Sequence, residues 1–193
     1  MIRFTLKNWT TLLYIIGITI VFSSCQRSEY DRTVKSEMAK NLELNELKFG
    51  LEFKDTKDEF FAKCKALNQQ KLVTHGGNNQ NVQHILNDTA KAPIRYLFYG
   101  TFDDKRVMNG LKMTFSYLGW APWNEHLYNK ELLQVVMDTL QIWYPGNEFK
   151  VLENEKLDYP IYYKVDGNRQ ILLHLEGTRD VIGLIQDLNQ KQY

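Results

Sequence analysis

The clearest alternation in the chain runs from Leu111 to Leu118, where Leu111, Met113, Phe115 and Tyr117 take turns with Lys112, Thr114 and Ser116. A period of two sends successive side chains to opposite faces, so the segment predicts a half-buried strand with one wet face. Shorter apolar runs at Val82 to Leu86 and Ile94 to Tyr99 precede it. Phe149 to Leu152, Ile161 to Val165, Gln170 to Leu175 and Val181 to Asp187 follow as further strand candidates. Val181, Leu184, Ile185 and Leu188 also satisfy helical spacing, and strand is preferred for that last run. His75-Gly76-Gly77-Asn78-Asn79 has loop chemistry, while Asp103-Asp104-Lys105 and Asp166-Gly167-Asn168 have turn chemistry. Asn109-Gly110 fits a turn or a bulge.

Helical spacing marks two segments between these runs. Thr56-Lys57-Asp58-Glu59 has the form of a capping box, and Phe60, Cys64 and Leu67 follow it at i, i+4 and i+7 as one apolar face. The second helix is expected over Asn129 to Trp143, with Leu133, Val136, Leu140 and Trp143 on one side and Tyr144-Pro145-Gly146 as its stop. Ahead of both, Tyr30, Val34, Met38 and Leu42 recur every four residues, a stripe that drifts around a helix if one forms. The predicted class is α+β, an antiparallel sheet with two main helices on one face, in the order α-βββ-α-βββ(β). Short connections favour antiparallel pairing, because parallel crossovers need a dozen or more residues. The order has the organisation of a duplicated unit without a sequence repeat.

The longest apolar run lies outside this pattern, from Leu12 to Phe22, after a short stretch bearing Arg3 and Lys7 and before Ser23-Ser24-Cys25. It is shorter than the ~20 residues that span a bilayer, and small residues sit where a peptidase would enter, so residues 1 to 24 read as an export signal. Phe22-Ser23-Ser24-Cys25 resembles the lipobox of bacterial lipoproteins, with Phe22 in place of the usual Leu. The resemblance implies diacylation of the Cys25 sulfur, cleavage before it and acylation of the new amino terminus. Two or more acyl chains hold a protein stably on a membrane where one holds it marginally. An ordinary secretory signal or an uncleaved anchor are the competing readings. Residues 25–46, polar and mixed in charge, are expected to form the lipidated terminus and a tether with a reach of roughly 25 Å, and 47–193 a single domain. That domain resembles no functionally assigned family.

Charge then narrows the partners. Of the 24 basic side chains two lie in the leader, and all 23 acidic ones lie beyond it, which leaves the mature chain a net charge of about −1. Nucleic-acid binding and polybasic membrane attachment both need a concentrated excess of Lys and Arg, and neither is expected. With Cys25 lipidated only Cys64 remains, so no intramolecular disulfide is available and stability must come from packing.

Candidate chemistry is sparse. Cys64 shares an apolar helix face with Phe60 and Leu67, where a thiol packs as a small hydrophobe and its thiolate is disfavoured. His75, His84, His126 and His174 lack the spacing of a zinc site, and Glu125-His126 and Asp103-Asp104 read as surface or turn chemistry. No catalytic residue, metal ligand or cofactor is assigned. The unusual segment is Tyr117-Leu118-Gly119-Trp120-Ala121-Pro122-Trp123, followed by Tyr128. Tyr117, Trp120, Trp123 and Tyr128 are the ligand-binding candidates, since aromatic faces stack on sugars or anchor a protein partner. A buried clasp between strand and helix is the preferred reading of the two indoles, with Trp123 expected to be structural. The expected role is a membrane-anchored, non-catalytic module of the bacterial envelope that recognises a protein or glycan. A hydrolytic envelope enzyme and a structural or assembly lipoprotein are the alternatives.

Overall fold

The capping box at Thr56 forms as its sequence requires, and it starts the first of two helices that carry the core. The computed structural model describes residues 28–77, 80–87, 91–152 and 159–190, so the leader, Cys25 and the loop residues Asn78 and Asn79 lie outside the described residues. The chain divides into two units, Met1–Arg32 and Thr33–Tyr193. In the first, the Ser28 hydroxyl accepts the Asp31 N–H at 3.1 Å at the start of helix α1, Glu29–Met38, whose residues from Thr33 onward belong to the second unit. Everything that follows concerns the second unit.

There, Thr56 Oγ1 accepts the Glu59 N–H at 3.3 Å while Glu59 Oε2 accepts the Thr56 N–H at 2.7 Å, opening helix α2, Lys57–Gln69. Strands β1 (Thr74–His75), β2 (Val82–Leu86), β3 (Ile94–Phe102) and β4 (Met108–Tyr117) come next, then helix α3 (Asn129–Trp143), then β5 (Lys150–Leu152), β6 (Ile161–Asp166), β7 (Arg169–Glu176) and β8 (Asp180–Asp187). All pairings among them are antiparallel, in the order β1-β2-β3-β4-β8-β7-β6-β5. The α+β class is therefore observed, and the duplicated organisation is clearer than expected. A helix followed by a four-stranded meander occurs twice, and the meanders join through β4 and β8. The two-residue β1 is the strand that sequence spacing missed. The final run is strand, as preferred.

Register places the core residues in rows. Tyr96, Phe115, Val181 and Leu175 lie side by side across β3, β4, β8 and β7, and Phe98, Met113, Gly183 and Leu173 form the neighbouring row. The Tyr96 ring stacks on Phe115 with centroids 4.7 Å apart. A Cβ on Gly183 would lie 2.8 Å from Met113 Cε and 3.0 Å from Leu173 Cδ2, so the missing side chain is what lets those two meet. Phe60, Cys64 and Leu67 of α2 and Leu132, Leu133, Val136 and Leu140 of α3 join the same cluster. Asn109 is the extra residue between the pairs Thr101↔Gly110 and Phe102↔Met108, so Asn109-Gly110 is a bulge and not a turn.

Two expectations need correcting. The second sheet face is not uniformly wet. Ser116 is buried there, as are Tyr163, Val165 and Gln170. The segment read as a tether is helical over α1, and from Glu37 onward it docks on the β6–β7 hairpin. Gly167, at φ +53°, donates its N–H to Glu37 Oε2, and Asn168 donates its N–H to the Leu42 carbonyl at 3.2 Å. Asn168 Oδ1 accepts the Leu44 N–H at 2.6 Å, and Arg169 donates to the Glu46 carbonyl. In β6 the fully buried Lys164 ammonium pairs with Asp166 at 2.9 Å. A charge so placed needs its partner, because an uncompensated buried ion costs several kcal/mol.

Candidate functional site

Residues 117 to 128 leave the end of β4 and return at the start of α3, and local bonds fix their path. The Trp120 N–H donates to the Tyr117 carbonyl, Asn124 Nδ2 donates to the Gly119 carbonyl at 2.9 Å, and the Tyr128 hydroxyl donates to the Pro122 carbonyl at 2.6 Å. A short 3-10 turn, Glu125–Leu127, then buries Leu127 beneath the loop. Asn129 locks the far end. It is 1% exposed, and its Nδ2 lies 3.2, 3.1 and 2.9 Å from the carbonyls of Glu176, Gly177 and Asp180 in the β7–β8 turn. Its own N–H donates to the Thr178 carbonyl. The loop is thus braced at both ends and across its middle.

The four aromatic candidates divide sharply. Tyr117 is buried in the core cluster, its hydroxyl has no hydrogen-bond partner among the described residues, and burial raises its ionisation above the ordinary phenol range. Trp120 is half-buried, with the Arg179 guanidinium 5.6 Å from its ring centroid. Tyr128 serves as a strut through its bond to Pro122. Trp123 is 81% exposed, the most open of the large apolar side chains on the described surface, and Leu118 on the same loop is 46% exposed. The clasp reading therefore fits Trp120 in part. It fails for Trp123, which lies at the tip of the loop where the helix and strand it was expected to join do not cover it.

A polar group that the sequence did not single out covers the inner indole. Arg179, over Trp120, lies 3.7 Å from Asp180 through its Nε. Desolvation holds the Asp180 carboxyl above the usual carboxylate range, against the opposing pull of Arg179 and a hydrogen bond with Ser116. Arg179 ends a turn and Asp180 opens β8, neither in a motif, so only the fold reveals them. The site offers an open indole, a guanidinium-covered indole, and an acid and a base within one turn. That set can stack on an apolar ring face and exchange hydrogen bonds with hydroxyls.

The remaining candidates stay separate. Cys64 lies with Phe60 and Leu67 in the core, where burial pushes its thiol up to about 11. The His84 ring is 2.6 Å through Nδ1 from the Leu72 carbonyl and edge-on to Phe49, while His174 lies against the Tyr159 ring. Asp103 Oδ1 accepts the N–H groups of Lys105 and Val107, each at 2.9 Å, which is the turn chemistry its sequence suggested. Among the described residues no three His, Cys, Asp or Glu side chains converge as a metal-holding group, and no helix is long and apolar enough to cross a membrane. The chain matches no family model, no curated protein and no solved structure.

Proposed function

We propose that this protein is a lipid-anchored, non-catalytic module of a bacterial envelope, and that the loop from Tyr117 to Tyr128 recognises a glycan. The exposure of Trp123 on a braced loop carries this reading. An indole left 81% open forgoes most of its burial energy, yet the loop spends several hydrogen bonds holding it outward in one geometry. Pre-organisation of this kind lowers the ordering cost of binding. A rigid aromatic ledge suits the C–H face of a sugar, and Arg179, over Trp120 of the same loop, and its neighbour Asp180 supply planar hydrogen-bonding groups for its hydroxyls. The anchor rests on the lipobox-like Phe22-Ser23-Ser24-Cys25. A protein partner seated on Trp123 and Leu118 is the runner-up, supported by the exposure of both.

The test is a glycan array probed with the chain from Gln26 onward, beside affinity capture from detergent-solubilised envelopes. Retention of one glycan class, lost on Trp123→Ala, supports the reading. Capture of a single protein with no glycan signal moves the assignment to the runner-up. A hydrolytic role has one observation on its side, the raised Asp180 carboxyl beside Arg179. Turnover of a bound glycan that stops in Asp180→Asn would replace recognition with catalysis.

A further inference from the structure

Helix α2 buries Phe60, Cys64 and Leu67, but Phe61, one residue further round, remains 47% exposed. Its ring lies 6.3 Å from that of Tyr99 on β3, centroid to centroid. Between the helix, the β1–β2 hairpin and β3 a cavity of about 390 Å³ stays open, with Phe61, Cys64, Val73, Val82 and Tyr99 supplying its apolar wall. Cavities of some 300 to 1,000 Å³ with apolar walls and a few polar groups are the usual form of small-ligand sites. An apolar cavity of about 150 Å³ holds one benzene, so this one has room for two such groups or an equivalent length of chain.

The polar rim decides the kind of ligand. Asn68 is already committed, donating its amide N–H to the Val73 carbonyl at 2.9 Å. Lys65 also lines the cavity, and its ammonium makes no ion pair among the described residues. No Asp or Glu is among the described residues that line it, and Thr74, His75, Gln80 and Asn81 complete the polar rim. The wall is thus apolar, and among the described lining residues the permanent charge is the positive one of Lys65. We infer that this cavity binds a small amphiphilic carboxylate, its tail against Cys64, Val73 and Val82 and its head at Lys65. The site is distinct from the aromatic loop, and either can exist without the other.

Decanoate, below its micellar concentration, is the probe, and decanol is its uncharged counterpart. Each is titrated into the ¹⁵N-labelled chain from Gln26 onward. Expected are saturable amide shifts centred on Val73, Val82 and Tyr99. Lys65→Gln should weaken decanoate about threefold, the scale of one exposed ion pair, and leave decanol unchanged. Thr74 is exposed and on the rim, so Thr74→Trp fills the mouth without disturbing the core and should abolish both titrations. Shifts that scatter over the surface without saturating overturn the inference. So does decanoate affinity unchanged in Thr74→Trp or in Lys65→Gln.

Discussion

Asn129 is where the fold and the recognition loop meet, and replacing it with Ala tests whether the loop is held as described. The side chain is 1% exposed and shares its two amide hydrogens among three backbone carbonyls of the β7–β8 turn. A net contribution of about 1 kcal/mol per hydrogen, with a further penalty for buried carbonyls left unpaired, gives a loss of about 2 to 4 kcal/mol. For a domain of this size each kcal/mol is worth roughly 2 to 4 °C in melting temperature, so a fall on the order of 10 °C is expected. Asn129→Asp should be worse than Asn129→Ala, since it aims a carboxylate at the same three carbonyl oxygens. Urea and thermal unfolding followed by circular dichroism measure both variants, and amide exchange at Asn124 and Leu127 reports on the loop. A loss under about 1 kcal/mol, or a milder effect from Asp than from Ala, would refute the hook.

Two further outcomes test the other named residues. Cys25→Ser should abolish incorporation of an alkyne fatty acid and leave the protein as precursor or in the aqueous phase of a detergent partition, and undiminished label would remove the lipid anchor from the account. Cys64→Ala should cost about 1 to 2 kcal/mol while leaving glycan binding at the aromatic loop intact, as loss of packing from a buried site away from that loop requires. Because the Cys64 thiol titrates near 11 in the fold against 9.0 for a free thiol, the unfolded chain releases that proton first. The thiol's contribution is complete below pH 9.0 and falls as pH rises towards 11. Denaturant midpoints at pH values on either side of that window should converge between parent and Cys64→Ala, and a constant gap would show that the thiol does not titrate there.

The parts of the fold that were legible in sequence are those fixed locally. The capping box at Thr56 and Glu59, the helix from Asn129 to Trp143, and the strand from Val82 to Leu86 depend on neighbours within a few residues. The docking of Glu37 to Glu46 was not legible, because its partners Gly167 and Asn168 lie 124 to 130 positions away and each bond joins one side-chain oxygen to a backbone N–H that every non-proline residue carries. Its four-residue apolar period allowed a helix there without deciding between helix and tether, and Glu29–Met38 is helical. At the candidate site, spacing identified the aromatic cluster but not which indole faces solvent. Trp120 and Trp123 are three residues apart in the same loop, and their fates differ because Arg179, from a turn with no motif, covers one and nothing among the described residues covers the other to a like degree. Asn129 was readable as a helix start. Its threefold contact with the β7–β8 turn depends on the joining of β4 to β8, which pattern alone does not supply.

The most direct measurement of the central claim compares Trp123→Ala with Trp120→Ala in melting temperature and in binding to the glycan class the parent retains. Trp123→Ala should melt within about 1 °C of the parent, as an exposed substitution worth no more than a few tenths of a kcal/mol requires, and should lose at least tenfold in affinity. Trp120→Ala should lower the melting temperature as well, because its indole Nε1 is buried and its ring lies beneath Arg179. Trp123→Ala that binds as tightly as the parent, or that melts as low as Trp120→Ala, would contradict a braced loop presenting an open indole for recognition.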